Sequence, residues 1–268
     1  MYVAAGLRNN FTNNVYRYDP SQNAWQQLPP IPMSPRANGI GFAIGGYGYM
    51  GLGYYFGGSS FTYFQDLWRL DTATTFWTRM ADFPGAARAF AAVFVIGDKA
   101  YVTGGSSANH IDTWQYRPAT NTWTQKADFP GTCNGRTTTF AIGTTGYIGL
   151  GLGVNGGCKE FWAYDTTANS WAKVDSFPGT TRYDAIGFAI GDTGFVVGGV
   201  SNPHAATDVW IYRASANAWS QLPTTYPGPA LMQMVAAVIA GRIFVGTGTN
   251  SDTGGPDSRF ADFWEYIR

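Results

Sequence analysis

Ten tryptophans fall into two sets that share one period, and that period constrains the fold more than any other feature of the chain. Trp25, Trp77, Trp123, Trp171 and Trp219 are spaced 52, 46, 48 and 48 residues apart. Trp68, Trp114, Trp162 and Trp210 each stand nine residues before one of these. Trp264 holds that place in the last copy and Tyr16 holds it in the first. A repeat therefore accounts for every tryptophan, and none is left over as a special binding residue. A phrase recurs with them: FWTRMADFPG at 76–85, TWTQKADFPG at 122–131 and SWAKVDSFPG at 170–179, with looser copies at 24–32 and 218–228.

Four strand-like runs recur in each unit. Run a is apolar, as in AFAAVFVIGD (89–98). Run b ends in glycines, as in AYVTGG and GFVVGG; run c alternates with period two, as in LWRLD and FWAYD; run d carries the tryptophan and polar partners. The c–d connections, such as DTATTF and RPATNT, hold the Asp, Pro, Thr and Asn that tight turns favour. Short strands at even spacing with no helical period predict an all-β antiparallel meander.

A four-stranded unit of about 45–50 residues has the size of a propeller blade. Tyr18/Trp25, Tyr116/Trp123, Tyr164/Trp171 and Tyr212/Trp219 keep one seven-residue spacing, and Leu70/Trp77 keeps it without the tyrosine. With the glycines after run b, this pattern resembles the kelch repeat over essentially the whole chain, and the copies look most like those of bacterial kelch-repeat proteins. The resemblance implies a six-bladed kelch-type β-propeller of four-stranded antiparallel blades. It would form a single domain over residues 1–268, with blades near 1–28, 38–80, 88–126, 136–174, 183–222 and 234–268.

Six b, six c, five a and five d runs make 22 strands, whereas six four-stranded blades need 24. The first blade is expected to lack strand a and the last to lack strand d. One expectation is that about 25 residues, a single d–a segment, precede Met1. The alternative is that the gap is tolerated or filled by another chain; an open edge is an association hazard.

Seventeen basic and seventeen acidic residues cancel, which gives no field for nucleic acid. No apolar run approaches the roughly 20 residues of a membrane helix, so no membrane insertion is expected. MYVAAGLRNN does not read as a signal peptide.

In a meander the b–c and d–a connections share one face, and these are the variable loops where function sits on a rigid scaffold. Counting back from the glycine that ends each run a gives Arg36, Arg88, Asn134, Arg182 and Met232, with Arg136 two residues beyond Asn134. Arginines near a channel mouth can bind carboxylates or phosphates bidentately. Kelch proteins that recognise acidic peptides use arginines at this motif position, so the resemblance implies a ligand-binding set of Arg36, Arg88, Arg136 and Arg182. The alternative is a structural arginine that bonds backbone carbonyls. The b–c loop GYYFGGSSFTYFQD (53–66) holds six aromatics; of these Tyr54, Tyr55, Phe56 and Tyr63 are the candidates for sugar stacking or a protein contact. They can equally fold over as a private cluster.

Asp66, Asp112, Glu160, Asp208 and Asp262 open their c strands, and repetition at one position reads as a structural cap. His110 and His204 belong to non-adjacent units, and no Cys/His/Asp cluster has metal-ligand spacing, so no metal or other cofactor is expected. GLGVNG (151–156) satisfies G-x-G-x-x-G but leads into a strand, where no helix N-terminus can hold a phosphate. Cys133 and Cys158 lie in loops of the same face, within reach of a disulfide or left as free thiols. A bridge would place the protein outside the cytoplasm.

The reading that follows is a binding or scaffold module of a secreted or cell-surface bacterial protein, with the periplasm included. Its partner would be a protein or glycan ligand, acidic in one version. A carbohydrate-active enzyme of the sialic acid mutarotase type is the alternative, with Arg182 and Asp184 as its best acid–base pair. A purely structural block of a larger adhesin is the third. No catalytic residue is assigned.

Overall fold

The turns between strands c and d follow directly from their sequence. Asn23, Asn121, Asn169 and Asn217 adopt the left-handed conformation with φ of 47–52°, which asparagine tolerates. Asp19, Asp71 and Asp165 each accept the backbone N–H two residues on, at 2.7–2.9 Å, and so close the turn locally.

The computed structural model describes residues 1–7, 10–106, 109–201, 204–239, 241–250 and 259–266. Two compact units are present, Met1–Lys126 and Ala127–Arg268. In the first, β1 (Tyr2–Leu7), β2 (Phe11–Asp19) and β3 (Ala24–Leu28) form a three-stranded sheet. β4 (Ile40–Ile44) and β5 (Tyr47–Gly51) pair, and then a separate hairpin of β6 (Tyr54–Gly57) and β7 (Ser60–Tyr63) interrupts them. β8 (Leu67–Asp71) and β9 (Trp77–Arg79) complete that four-stranded sheet. β10 (Ala92–Ile96), β11 (Lys99–Thr103), β12 (Thr113–Arg117) and β13 (Thr122–Lys126) form the next.

In the second unit β14 (Cys133–Gly135) precedes β15 (Thr138–Ile142) and β16 (Thr145–Gly149). The short β17 (Leu152–Gly153) pairs with β14 on one side and with β18 (Gly156–Gly157) on the other, and β19 (Phe161–Asp165) and β20 (Ser170–Val174) finish the main sheet. β21 (Ile186–Ile190) and β22 (Thr193–Val197) are followed by the small hairpin β23 (Val200–Ser201) and β24 (His204–Ala205). β25 (Asp208–Arg213) and β26 (Ala218–Thr225) close that sheet. β27 (Val235–Ile239), β28 (Arg242–Thr249) and β29 (Arg259–Tyr266) form a second three-stranded sheet. Every pairing is antiparallel between neighbours, as a meander requires. The four-strand units expected from the repeat are thus present, with strand a absent from the first sheet and strand d from the last among the described residues.

The repeated phrase is a latch between consecutive sheets. Asn121 Oδ1 accepts the Tyr116 hydroxyl of its own sheet at 2.8 Å and the Ala81 N–H of the preceding connection at 2.8 Å. Trp123 Nε1 donates to the carbonyl of the same residue, Ala81, at 3.0 Å. Asn169, Tyr164 and Trp171 grip Ala127 in the same way, and Asn217, Tyr212 and Trp219 grip Asp175. The Phe of each Phe-Pro-Gly turn then lies edge-on to the tryptophan of the next sheet: Phe83 to Trp123, Phe129 to Trp171 and Phe177 to Trp219, with centroids 5.1–5.3 Å apart. These three phenylalanines are fully buried. Edge-to-face packing adds about 0.5–1.5 kcal/mol to the burial of such rings.

One copy departs from the pattern, and its changes are coordinated. Ile31 donates to Asn13 as Phe83 donates to Gln65, which sets Pro29 in the place of Ala81. Proline has no N–H to offer. The sheet that follows has Leu70 in place of the tyrosine and Thr75 in place of the asparagine, and Trp77 Nε1 has no partner among the described residues.

The glycines after strand b are not equivalent. At the first position Leu52 and Leu150 take φ of 55–56°. The second is always glycine: a Cβ on Gly105 would stand 2.8 Å from the Ala89 carbonyl oxygen, and one on Gly53 2.7 Å from that of Ala37. Here the two backbones approach too closely for a side chain.

Candidate functional site

Arg36, Arg88 and Arg182 are buried, each at no more than 2 % exposure. Arg88 Nη1 and Nη2 donate to the two carboxylate oxygens of Asp112 at 2.7 and 2.9 Å, and Nη1 also reaches the Gly104 carbonyl at 3.1 Å. Its Nε donates to the Ala86 carbonyl at 2.9 Å. Arg182 holds Asp208, Gly198 and Thr180 in the same geometry, and Arg36 holds Asp66, Leu52 and Ser34. A tryptophan adds a third bond to each carboxylate, from Trp68, Trp114 and Trp210 at 2.6–2.8 Å. Both carboxylate oxygens and two carbonyls take four of the five N–H donors of Arg88 and of Arg36, and the Thr180 hydroxyl takes the fifth of Arg182.

Arg36, Arg88 and Arg182, read from the sequence as ligand-binding candidates, are thus engaged within their own sheets. They tie the connection entering strand a to the first residue of strand c in the same sheet. Asp66, Asp112 and Asp208 are structural, as the sequence suggested. Burial by itself would raise the Asp112 and Asp208 carboxyls, but the hydrogen bonds from arginine and tryptophan outweigh it and hold both below the usual range.

Two sheets vary the arrangement. Where Asn134 replaces arginine, Glu160 Oε1 accepts the Thr132 N–H at 2.5 Å, the Thr132 hydroxyl at 2.9 Å and the Cys133 N–H at 3.2 Å. Burial would raise the Glu160 carboxyl; these bonds prevail and lower it. In the last sheet Leu231, not Met232, holds the arginine position: its carbonyl accepts the Gly199 N–H as that of Arg182 accepts the Gly151 N–H. Leu231 stands four residues before β27 as Arg182 stands four before β21, and the turn glycine after the strand, Gly241, comes one position later than Gly191 does. Asp262 keeps Trp264 at 2.7 Å, but its Oδ1 is buried without a partner among the described residues.

Arg136 is placed differently, two residues further on and partly exposed. Its Nη1 bonds Asp184 Oδ2 at 2.9 Å, and Gln233 Nε2 reaches the same oxygen at 3.2 Å. Asp184 thus pairs with Arg136, whereas Arg182 is bound to Asp208, so the acid–base pair suggested by adjacency in sequence does not form. Asn38, Phe90, Arg136, Asp184 and Gln233 all take φ of 54–56° at the entry to strand a. Within each unit one donates its N–H to the carbonyl of its predecessor: Phe90 to Asn38, Asp184 to Arg136 and Gln233 to Asp184, at 2.8–3.0 Å. Sequence inspection missed this row because its residue types share nothing; the backbone conformation alone relates them.

Cys133 and Cys158 are joined in a disulfide with Cα atoms 6.1 Å apart. Among the described residues no cluster of three or more His, Cys, Asp or Glu side chains could hold a metal ion. Burial and the neighbouring Arg88 lower the His110 imidazole, with Asp112 acting in the opposite sense; the His204 side chain lies outside the described residues.

The aromatic loop is the twisted hairpin β6–β7. Tyr54 is the anchored member: its ring packs on Phe11 at 5.6 Å and Phe90 at 5.9 Å, and its peptide bonds Ala37 in both directions. Tyr63 opposes it across the hairpin. Phe56 and Phe61 project outward at 43 and 57 % exposure with rings 4.7 Å apart, whereas Tyr55, 40 % exposed, packs its ring on Phe11 at 5.1 Å. Beside them runs a groove of about 410 Å³ lined by Met33, Ser34, Tyr63, Gln65, Arg79 and Asp82, among others. An exposed aromatic group on a pinned hairpin next to a polar groove is a surface suited to another macromolecule.

The family model of the KLHDC2/KLHL20/DRC7 Kelch-repeats domain matches residues 1–181. No protein of curated function matches the chain. Kelch-repeat domains in general are protein-binding scaffolds built on a β-propeller. With its recurrent glycines, its turn asparagines and its tryptophan latches, this chain belongs to the kelch-repeat family.

Proposed function

We propose that the chain is a protein-binding scaffold, a single six-bladed propeller over 1–268, that receives its partner on the β6–β7 hairpin and the groove beside it. The observation that carries this reading is the outward projection of Phe56 and Phe61 while Tyr54 and Tyr55 are both held against Phe11. Aromatic rings deliver large contact area at low entropic cost, and a rigid mount lowers that cost further. The partner is a polypeptide that lays an apolar side chain against Phe56 and Phe61 and polar groups into the groove, where Arg79 and Asp82 offer both charges. The Cys133–Cys158 bridge supports a setting outside the cytoplasm.

A displayed peptide library and a glycan array screened against wild type, Phe56→Ala/Phe61→Ala and Arg79→Ala test the proposal. Peptides that bind wild type and lose at least tenfold on the double variant support it. Ligands that bind all three proteins equally locate the site elsewhere, and hits confined to the glycan array overturn the polypeptide assignment.

A further inference from the structure

The hairpin β17–β18 carries little apolar packing of its own. Three of its four strand residues are glycines, Leu152 is 38 % exposed, and Val154 at the tip is 89 % exposed. Glycine also loses more conformational freedom on ordering than any other residue. Two backbone pairings, Cys133 with Gly153 and Gly135 with Leu152, join the hairpin to β14. A Cβ on Gly153 would stand 2.5 Å from the Thr132 carbonyl oxygen, so backbone lies directly on backbone there. A segment held by so few buried side chains opens at low free energy unless something else fastens it.

In three other sheets an arginine fastens the corresponding loop at both ends. Arg88 reaches the Gly104 carbonyl where the loop leaves strand b and Asp112 where it enters strand c. Arg36 does the same at Leu52 and Asp66, and Arg182 at Gly198 and Asp208. Asn134 holds the arginine place in this sheet and has neither the length nor the fork. Glu160 still fastens the far end, through Thr132 and the Cys133 N–H. The Cys133–Cys158 bridge joins the same two segments, one residue before Asn134 and two before Glu160. It stands where the other sheets have their buried ion pair.

We infer that this bridge is a redox-operated clasp. Oxidised, it holds β17–β18 against β14; reduced, it releases the hairpin while the main sheet stays folded. An ion pair cannot be opened this way, so this one loop among the fastened ones answers to a reductant. Release stops at Glu160, whose bonds to Thr132 and Cys133 do not involve sulfur chemistry and keep the start of β19 in place. The reductant is a dithiol. Its thiolate attacks Cys158 Sγ, since Cys158 is partly exposed and Cys133 is buried. A mixed disulfide forms on Cys158, and Cys133 leaves as a thiolate and takes up a proton. The second thiol of the reductant then attacks the mixed disulfide and frees Cys158, and the dithiol departs as a disulfide.

Hydrogen exchange of the 268-residue protein, oxidised and then treated with dithiothreitol without denaturant, tests the inference. Exchange over residues 151–158 should quicken at least tenfold on reduction, while residues 145–149 and 161–165 of the same sheet change less than twofold. Reoxidation should restore the slow exchange. Cys133→Ser/Cys158→Ser should show the fast exchange over 151–158 from the start and no response to dithiothreitol. Unchanged exchange over 151–158 in a chain whose two thiols have become available for labelling overturns the inference, because the backbone pairing with β14 then suffices. Loss of protection over 145–149 and 161–165 together with 151–158 overturns it too, since the bridge is then a staple of the whole sheet. A bridge that dithiothreitol leaves intact in the folded protein overturns it as well.

Discussion

Asn121 and Ala81 stand 40 residues apart in sequence, and the Ala81 N–H donates to Asn121 Oδ1 at 2.8 Å. Asn121 also sits at φ 52°, so one residue serves the turn and the contact between sheets. The two roles separate by substitution. Asn121→Gly keeps the left-handed turn and loses two hydrogen bonds, for an expected cost of about 1–2 kcal/mol. Asn121→Ala adds the left-handed penalty and should cost about 1 kcal/mol more. Equal denaturant midpoints for the two variants would show that the turn conformation contributes nothing.

The altered latch around Pro29, Leu70 and Thr75 predicts strong non-additivity. Leu70→Tyr/Thr75→Asn alone should not stabilise, because Pro29 has no N–H to donate. Combined with Pro29→Ala, the same pair should gain about 1 kcal/mol over the sum of the separate effects. A double-mutant cycle by urea denaturation measures the coupling; a value of zero removes the hydrogen-bond account of this departure.

Arg88 is fully buried, so its partner cannot be removed cheaply. Asp112→Asn leaves an uncompensated guanidinium and should destabilise by about 3 kcal/mol at neutral pH.

The same carboxylates set an acid limit. Asp112, Asp208 and Glu160 are held below their usual ranges, so folding keeps them ionised. Their contribution is complete above the unfolded carboxylate range of about 4 and is lost as pH falls below it. Thermal midpoints should therefore be level from pH 7 to 5 and drop steeply below about pH 4. Asp112→Asn should flatten part of that drop; an unchanged slope would exclude this carboxylate as a source.

The disulfide closes a separation of 25 residues, and its removal by Cys133→Ser/Cys158→Ser should cost roughly 3 kcal/mol through the unfolded chain. Thiol labelling of the unfolded, unreduced protein checks the bridge itself: labelling of two cysteines per chain would refute it.

The architecture was legible in the sequence because its determinants are local. Period-two runs, turn residues such as Asn121 and Asp165, and a tryptophan every 46–52 residues specify strands, turns and their order. The 22 strands of the main sheets, with one absent at each end sheet among the described residues, were legible for the same reason, whereas the seven short strands β6, β7, β14, β17, β18, β23 and β24 were not. Tertiary structure decided what the side chains do. Arg88 and Asp112 are 24 residues apart, and only the folded sheet shows that they pair with one another. Asp184 finds Arg136, 48 residues away, instead of its near neighbour Arg182. The apolar cavity between Phe188, Val209 and Trp264 has no signature in any short stretch, because its walls come from six strands and a connection. Turn and strand preferences act over two to four residues, whereas pairing, burial and exposure are settled only when distant segments are brought together and compete for the same partners.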